Sequence, residues 1–464
     1  MGRPSCHSLW RHSNDGRFCR SGCRLLLRCL TSTSHEGRLF TYGKEVPLDI
    51  QITPYALDRI PVSLIVDDAT VLINLNYFWM RDRNLVDGQN RRWEDVPVVH
   101  PESFTREWAT WCREEGIKGK FSIVPYPAAL GRVDQGLPLF SRAQQDSWLT
   151  MCRELIMPSF DITPEMLTHT VIVDPITLRP VAPPIWEQFD WAALPEDQEE
   201  LVVDYIETAC RILDNVGLTP NGVTSPGGFG GQTLDLYARA TGEALRRVTG
   251  DLAPFFFQRL LVDGSTHPVV WHPEQSAGTA VGEVIAGAGD WTGDWTGYGL
   301  VEPDRYITSD LEGGRVPALL RAGQPIVLCS HWQGFYGMHT EDRRGFRALK
   351  TVVERLRALD PGGERTRWRT CSEITRYACA RELSMVRVED NTIALDLPLR
   401  VPEITLRVQD MAPRGITVNG LPLRRVQNKP AFESGTWLVC GHETLLAFDP
   451  DRRKTTIEIN PAET

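Results

Sequence analysis

Two adjacent aspartates give the strongest indication of chemistry in the chain. Asp67 and Asp68 directly follow residues 62–66, an apolar run that reads as a buried strand. Successive side chains of an ideal strand point to opposite faces, so the two carboxylates are predicted to have different neighbours. One would bind a metal ion while the other accepts a proton. The alternative is a pair of solvated acids in a strand-to-helix turn.

Two histidines lie where they could serve the same chemistry. His169 is in a strand-like segment, and a neutral imidazole there can ligate zinc or a similar divalent ion. A hydrogen-bonded core histidine would give the same local pattern. His331 follows the apolar strand 325–329 and is predicted to act as a general acid, with Trp332 beside it as an aromatic platform for a sugar.

Aromatic residues that accompany acids or glycines predict a sugar-binding surface. Asp290 and Asp294 are each followed by a tryptophan, Trp291 and Trp295, and Phe229 lies in a glycine-rich loop. Indole faces suit the C–H surfaces of sugars, and carboxylates can bind hydroxyl groups. The alternative is an exposed loop whose tryptophans pack locally. The glycine-rich loop lacks the lysine of phosphate loops and the dinucleotide spacing, which excludes nucleotide binding there.

Strands and helices that would position these residues alternate from about residue 60 to residue 382. Examples of the strands are 62–66, 120–124 and 325–329. Such alternation favours a parallel sheet, and at this length a distorted (β/α) barrel over residues 41–383. Polar residues gather where the strands end, which is where barrel active sites are built.

The pattern changes at residue 384. Segments such as 392–397 and 404–408 alternate between apolar and polar residues with period 2, and Asn419-Gly420 is a hairpin signal. Residues 384–464 are therefore predicted to form a small antiparallel β module of the sandwich type.

Residues 1–40 form a basic leader. The first 35 residues contain six arginines, no lysine and one acid, a composition similar to that of transit peptides. We expect a disordered tail or a non-native extension. Its apolar run, 25–27, is too short for a secretory signal. Together with the scattered cysteines of the remaining chain, this predicts a reducing compartment, the cytoplasm.

The overall composition excludes several classes of protein. Of the 464 residues, 42% are hydrophobic and 24% are charged, which excludes a mainly disordered chain. The sequence contains no apolar run of the roughly 18 residues that a membrane span requires. The net charge of −10 argues against a nucleic-acid partner.

Taken in order, these segments resemble the polysaccharide deacetylase family, also called NodB-homology carbohydrate esterases, of the glycoside hydrolase/deacetylase superfamily. Asp67-Asp68 matches the end of the family's first motif, which implies Asp67 as general base and Asp68 as metal ligand. His169-Thr170 matches the first half of the second motif, His-Ser/Thr-x-x-His, and implies a second ligand. His331 matches the histidine of the fifth motif.

The resemblance spans residues 60 to 382 and implies a distorted barrel, with two departures from the family pattern. Val173 stands where the second motif has its second histidine. The third motif begins Arg-x-Pro, but Thr224 stands in the place of the arginine. Two interpretations follow: Asp174, Asp290 or a water molecule completes the metal site, or the site holds no metal.

The sequence thus predicts a hydrolase that acts on carbohydrate, with metal-dependent removal of acetyl groups from a poly- or oligosaccharide as the leading hypothesis and zinc as the cofactor. Six residues are predicted to contact the sugar: Phe229, Asp290, Trp291, Asp294, Trp295 and Trp332. Two alternatives remain. One is a glycosidase with Asp67 and Asp294 as its acid/base pair, whose separation would decide the mechanism. The other is a catalytically inactive, glycan-binding barrel.

Overall fold

Strands and helices alternate from residue 60 to residue 383, as the residue pattern predicts. The computed structural model describes residues 49–69, 100–138, 140–287, 289, 291–293, 299–337, 343–411 and 413–461, all within one unit of residues 47–464. The first ten strands are β1 (Ile50–Ile52), β2 (Ile60–Ala69), β3 (Gly119–Ile123), β4 (Phe160–Pro164), β5 (Gly222–Thr224), β6 (Phe255–Leu260), β7 (Val269–Glu274), β8 (Thr279–Ala286), β9 (Ile326–His331) and β10 (Thr366–Trp368). The helices are α1 (Glu102–Glu114), α2 (Arg142–Met151), α3 (Glu199–Asp214), α4 (Leu234–Thr249), α5 (Arg315–Arg321), α6 (Trp332–Tyr336), α7 (Arg344–Leu359) and α8 (Cys371–Leu383).

The helices form where the apolar residues recur with helical spacing. In α1, the side chains of Phe104, Trp108 and Cys112 share one buried face. Helix α2 begins at Ser141, whose side chain accepts from the backbone N–H of Gln144 in a capping box. Among the described residues, no helix has both the length and the apolar composition of a membrane span.

Two sheets carry the strand ends that matter for the site. In the first, β2 pairs in parallel with β3, β9 and β10, and β3 pairs with β4. In the second, β5, β6 and β8 are parallel and β7 is antiparallel to β8. The prediction of an α/β fold with parallel sheets is therefore confirmed.

The two sheets approach each other along both edges. A parallel bridge joins Glu165, just after β4, to Thr224 of β5, and the amide of Gly287 donates to the carbonyl of Val327 at 2.9 Å. A buried cluster lies between the sheets: Ile65, Phe255, Phe257, Val284, Ala286, Val327, Cys329 and Cys371. The strand pairing nevertheless defines two sheets, so the fully closed barrel stays a prediction.

The C-terminal part of the chain is built from β-strands: β11 (Met385–Glu389), β12 (Thr392–Asp396), β13 (Ile404–Gln409), β14 (Pro413–Val418), β15 (Leu421–Pro422), β16 (Arg424–Arg425), β17 (Thr436–Cys440), β18 (Glu443–Phe448) and β19 (Lys454–Pro461). They form two five-stranded sheets, ordered β1-β13-β18-β17-β16 and β11-β12-β19-β14-β15. Their inward side chains share one apolar core that includes Ile393, Leu406, Trp437, Leu446 and Ile457. This arrangement is a sandwich.

Two local features define the edges of this sandwich. Asn419 and Gly420 have φ angles of 49° and 79° and form the turn between β14 and β15, which the Asn-Gly signal predicts. At the other sheet's edge, Ile50 of β1 pairs with Val408 of β13. The first described strand, from the range assigned by sequence to the barrel, thus completes a sheet of the module.

Candidate functional site

A β-bulge places the two aspartates at the carboxyl end of β2. The pairing of β2 with β3 shifts register between Val66 and Ala69, so that Asp67 and Asp68 lie opposite Ser122 alone. Asp68 has a φ angle of 59°, a left-handed conformation in which aspartate is one of the more common non-glycine residues. Bulges bend a strand and redirect its side chains, and they occur often next to active sites.

Asp67 is held by polar groups from the two neighbouring strands β3 and β9. The ammonium of Lys120, which is fully buried, donates to Asp67 Oδ1 and to Thr224 Oγ1 at 2.7 Å. Ser122 Oγ lies 3.2 Å from the same aspartate oxygen, and Cys329 Sγ lies 3.6 Å from the other. The carboxylate is therefore fixed in orientation and paired with a buried cation.

Asp68 belongs to a different cluster, which also contains Glu165 and His169. Nε2 of His169 lies 2.9 Å from Asp68 Oδ1 and 3.4 Å from Glu165 Oε1. All three residues are buried, and their ligand atoms lie within 4.8 Å of one another. Gln333 donates to the second oxygen of Asp68 at 3.3 Å.

Hydrogen bonds fix the other two members of this cluster. Glu165 Oε2 accepts from the backbone amide of Asp68 at 2.6 Å and lies 2.6 Å from Ser122 Oγ. The side-chain nitrogen of Gln188 lies 2.8 Å from both Nδ1 and the carbonyl oxygen of His169. These contacts leave Glu165 Oε1 and His169 Nε2 directed at Asp68.

A buried carboxylate shapes the loop that carries His169. Glu187 Oε1 accepts from the backbone amides of Leu167 and Thr168 at 2.9 and 3.1 Å and from the hydroxyl of Tyr205 at 2.7 Å. Burial raises the pKa of Glu187 above its usual range despite these bonds. His169 follows with a φ angle of 64°, so Glu187 helps to hold a backbone conformation that is uncommon outside glycine.

The charges of the cluster oppose the effect of burial. Burial alone raises the pKa of Asp68, but the nearby His169 and His331 outweigh it and leave the pKa of this carboxyl below its usual value. Burial likewise lowers the pKa of His169, whereas Asp68 and Glu165 raise it well above its usual value. The two carboxylates therefore favour a positive charge at the position of Nε2.

The three donors also fit a divalent metal ion. Two ligand atoms that lie about 2.0–2.2 Å from one ion and subtend a tetrahedral or octahedral angle are roughly 3.0–3.5 Å apart. The observed 2.9 and 3.4 Å agree with this spacing. Asp68 Oδ1 is buried and faces His169 Nε2 at 2.9 Å. Asp68, Glu165 and His169 could thus hold zinc or a similar ion.

His331 lies at the end of β9, in register with Asp67 on β2. Its side chain is partly exposed, and it lies close enough to Asp68 to lower the pKa of that carboxyl.

Three aromatic residues that were predicted to contact sugar lie in the core instead: Phe229, Trp291 and Trp332 are at most 1% exposed. The indole N–H of Trp291 donates to the carbonyl of Cys329 at 3.0 Å, and Trp332 packs edge-on against Trp108. Aromatic type predicts burial and sugar stacking equally well, and only tertiary packing separates the two. For these three residues the prediction of a sugar contact is corrected to a packing role.

Other predicted site residues lie elsewhere. Asp290, Asp294 and Trp295 fall outside the described residues. Asp174, one proposed third ligand, accepts from backbone amides of the turn that follows it, at 2.6 and 3.1 Å. Glu165, and not Asp174, lies beside Asp68 and His169.

Sequence reasoning missed two residues, Glu165 and Lys120. The second motif places the additional ligand four residues after His169, at Val173, whereas Glu165 lies four residues before His169. Lys120 and Ser122 alternate with apolar residues in β3, a signal that two polar side chains of a buried strand face the same interior. Lys120 supplies a buried cation beside Asp67.

Comparison with known proteins gives only weak likenesses. No family model matches the chain, and no curated protein matches its sequence. An Anoxybacillus α-amylase is 9% identical, with a TM-score of 0.35, over 88% of this chain and 99% of its own. A Thermotoga maritima α-fucosidase in complex with a mechanism-based inhibitor is 13% identical over 88% and 97%, with a TM-score of 0.27. A xylanase of glycoside hydrolase family 30 from Clostridium acetobutylicum is 8% identical over 89% and 100%, with a TM-score of 0.28. At these TM-scores the likenesses carry no argument about fold or function, and the resemblance to polysaccharide deacetylases stays a prediction.

Proposed function

We propose that the protein is a metal-dependent hydrolase that removes acetyl groups from a poly- or oligosaccharide. The observation that supports this most strongly is the buried set Asp68, Glu165 and His169 directly beside Asp67. A metal site next to a second, separately held carboxylate provides both components that hydrolysis of an amide or ester needs.

Asp68, Glu165 and His169 would hold the ion. Two carboxylate oxygens and one imidazole nitrogen suit zinc, the predicted ion, and also manganese. When bound, such an ion polarises the substrate carbonyl and lowers the pKa of a water molecule.

The remaining residues would move protons. Asp67 accepts the proton of the attacking water, and Lys120 holds this carboxylate in orientation through its buried ion pair. His331, whose side chain is partly exposed, protonates the amine or alkoxide that leaves. Water would add to the acetyl carbon, and the products would be acetate and a free amino or hydroxyl group on the sugar.

Acetate release tests this proposal. The purified protein, loaded with Zn²⁺ or Mn²⁺, is assayed against acetylated oligosaccharides, and bound metal is measured by mass spectrometry. We expect release by the wild type, and loss of both release and stoichiometric metal in Asp68→Ala. Asp174→Asn, which changes a carboxylate away from the cluster, serves as the matched control. The proposal would be refuted if the wild type released no acetate from either N-acetylated or O-acetylated sugars. Unchanged acetate release by Asp68→Ala would refute it as well.

The glycosidase alternative has one observation in its favour. Ser122 Oγ lies 3.2 Å from Asp67 and 2.6 Å from Glu165, so two carboxylates border one small space, as in an acid/base pair. This reaction would release new reducing ends in place of acetate, and chelation of metal would not abolish it. Measuring both products in one assay distinguishes the two functions.

A further inference from the structure

A cavity lies at the opposite end of β2 from the aspartates. It has a volume of about 180 Å³ and is bounded by three segments, 55–61, 369–377 and 401–403. One buried water requires only about 10–15 Å³ by this measure, so the cavity has room for a small organic molecule. From Arg59 to Asp67, β2 rises roughly 25 Å, which separates the cavity from the candidate metal site.

Arginines dominate the charge at this end. Arg59 lines the cavity and is 6% exposed; Arg367 and Arg369 lie close enough to lower its pKa. Glu403 pairs with Arg369 and lies 3.6 Å from Arg367. Asp360, the second carboxylate that acts on Arg59, accepts hydrogen bonds from three backbone amides and one hydroxyl of residues 364–366.

The other charged groups of the cavity wall are neutralised by neighbours. Arg376 pairs with Asp251 at 2.6 Å, and Glu373 pairs with Lys118 at 2.8 Å. These pairs cancel, so the excess positive charge remains with the arginine cluster of residues 59, 367 and 369.

Arg59 is incompletely bonded. One of its terminal nitrogens donates to the carbonyl of Lys429, but among the described residues Nε is buried without an acceptor. Burial first, and then the charges of Arg367 and Arg369, lower the pKa of Arg59. A buried N–H without a partner is unfavourable, and so is a buried excess of like charge. An anion in the cavity would offset this excess of positive charge.

We propose that this cavity binds the oxyanion group, carboxylate or phosphate, of a small molecule. Arg59 and Arg369, which both line the cavity, would supply the positive charge that holds the anion. The apolar part of the ligand would lie against the rest of the wall, formed by Ala56, Pro61, Ile374, Val401 and Pro402. Because the wall takes segments from both the parallel sheets and the sandwich, a bound anion would also stabilise their junction.

Calorimetric titration at constant ionic strength tests the site, with inorganic phosphate, acetate and butyrate as separate probes and chloride as the baseline. We expect at least one oxyanion to bind saturably and to raise the thermal midpoint. Phosphate alone would indicate a phosphate ligand; butyrate binding better than acetate would indicate a carboxylate with an apolar chain. Arg59→Met should weaken binding tenfold or more, whereas Arg424→Met, an exposed arginine of β16, should leave it unchanged.

A second variant covers the case in which Arg59→Met fails to fold. Ala56→Leu fills the cavity and alters no charge, so it should also abolish binding in a protein whose circular dichroism is native. The proposal is overturned if no oxyanion binds above the chloride baseline, or if binding survives unchanged in either variant.

Discussion

The two ends of β2 carry opposite charges. At the carboxyl end, the carboxylates of Asp67, Asp68 and Glu165 surround one permanent cation, Lys120, and lie beside two titratable histidines, His169 and His331. At the amino end, the three arginines 59, 367 and 369 outnumber the two carboxylates that act on Arg59, those of residues 360 and 403. Both ends are buried, and each has an excess of one sign. A buried excess of one charge thus indicates a ligand of the opposite charge, which is a cation at the carboxyl end of β2 and an anion at the amino end.

Two buried aspartates make the same contrast within the first sheet. Asp68 has neighbouring histidines, and its pKa lies below the usual range although burial opposes this. Asp161 of β4 accepts from the backbone and hydroxyl of Ser372, both at 2.7 Å. Burial outweighs these bonds and raises the pKa of Asp161 to about 7. Similar burial thus gives opposite results, because His169 and His331 lower the pKa of Asp68 whereas Glu373 raises the pKa of Asp161 further.

The largest effect is expected from Glu165→Gln. This change removes one of two carboxylates from the candidate metal site, so the affinity for Zn²⁺ and Mn²⁺ and the hydrolytic rate should both fall on the order of 1,000-fold. Competition with a chromogenic chelator measures the affinity. Asp174→Asn should retain full affinity. Equal metal binding by Glu165→Gln and the wild type would remove Glu165 from the site.

Lys120→Met tests the fixed cation at the same end. It leaves the carboxylate of Asp67 buried without its partner, which should lower the free energy of unfolding by about 3–5 kcal/mol. Lys118→Met is the matched control, because its pair with Glu373 is about one third exposed and should contribute at most about 1 kcal/mol. Urea titration measures both. Adding Asp67→Asn to Lys120→Met should restore most of the loss, and equal losses in the two lysine variants would contradict the buried pair.

The smallest effect, per pH unit, is expected from Asp161→Asn. In the folded protein Asp161 keeps its proton up to about pH 7, whereas in the unfolded chain it loses it near pH 4. Between these values the wild type should therefore lose stability as pH rises, by at most about 1.4 kcal/mol per unit. Asparagine removes this dependence, so the unfolding free energy of the variant relative to the wild type should rise from pH 4 to 7 and then level off. Parallel stability curves would show that Asp161 does not titrate in this way.

Much of the site could be predicted because strand ends are readable from sequence. Asp67, Asp68, His169 and His331 follow apolar runs or lie in strand-like segments, and the structure places all four at one end of the sheets. Glu165 was missed because the matching motif requires its second ligand on the other side of His169. Lys120 was missed because its partner is distant in sequence.

The aromatic predictions failed for a different reason. Residue type shows that Phe229, Trp291 and Trp332 favour apolar surroundings, but the face against which each ring packs depends on elements far along the chain. For the fold, the periodicity of apolar residues identified the strands and helices. The pairing of β1 with β13 could not be identified in this way, because β1 has only three residues and they show no periodic pattern.

This pairing has a consequence for synthesis of the chain. The residues of β1 leave the ribosome about 350 positions before those of β13, and at roughly 5–20 residues per second they wait about 20–70 s for their partner. Until then β1 is an unpaired strand, and β13 has a bare edge in any fragment that starts at residue 384. The sandwich therefore becomes complete only when nearly the whole chain has been made, and neither half of the gene would encode it alone.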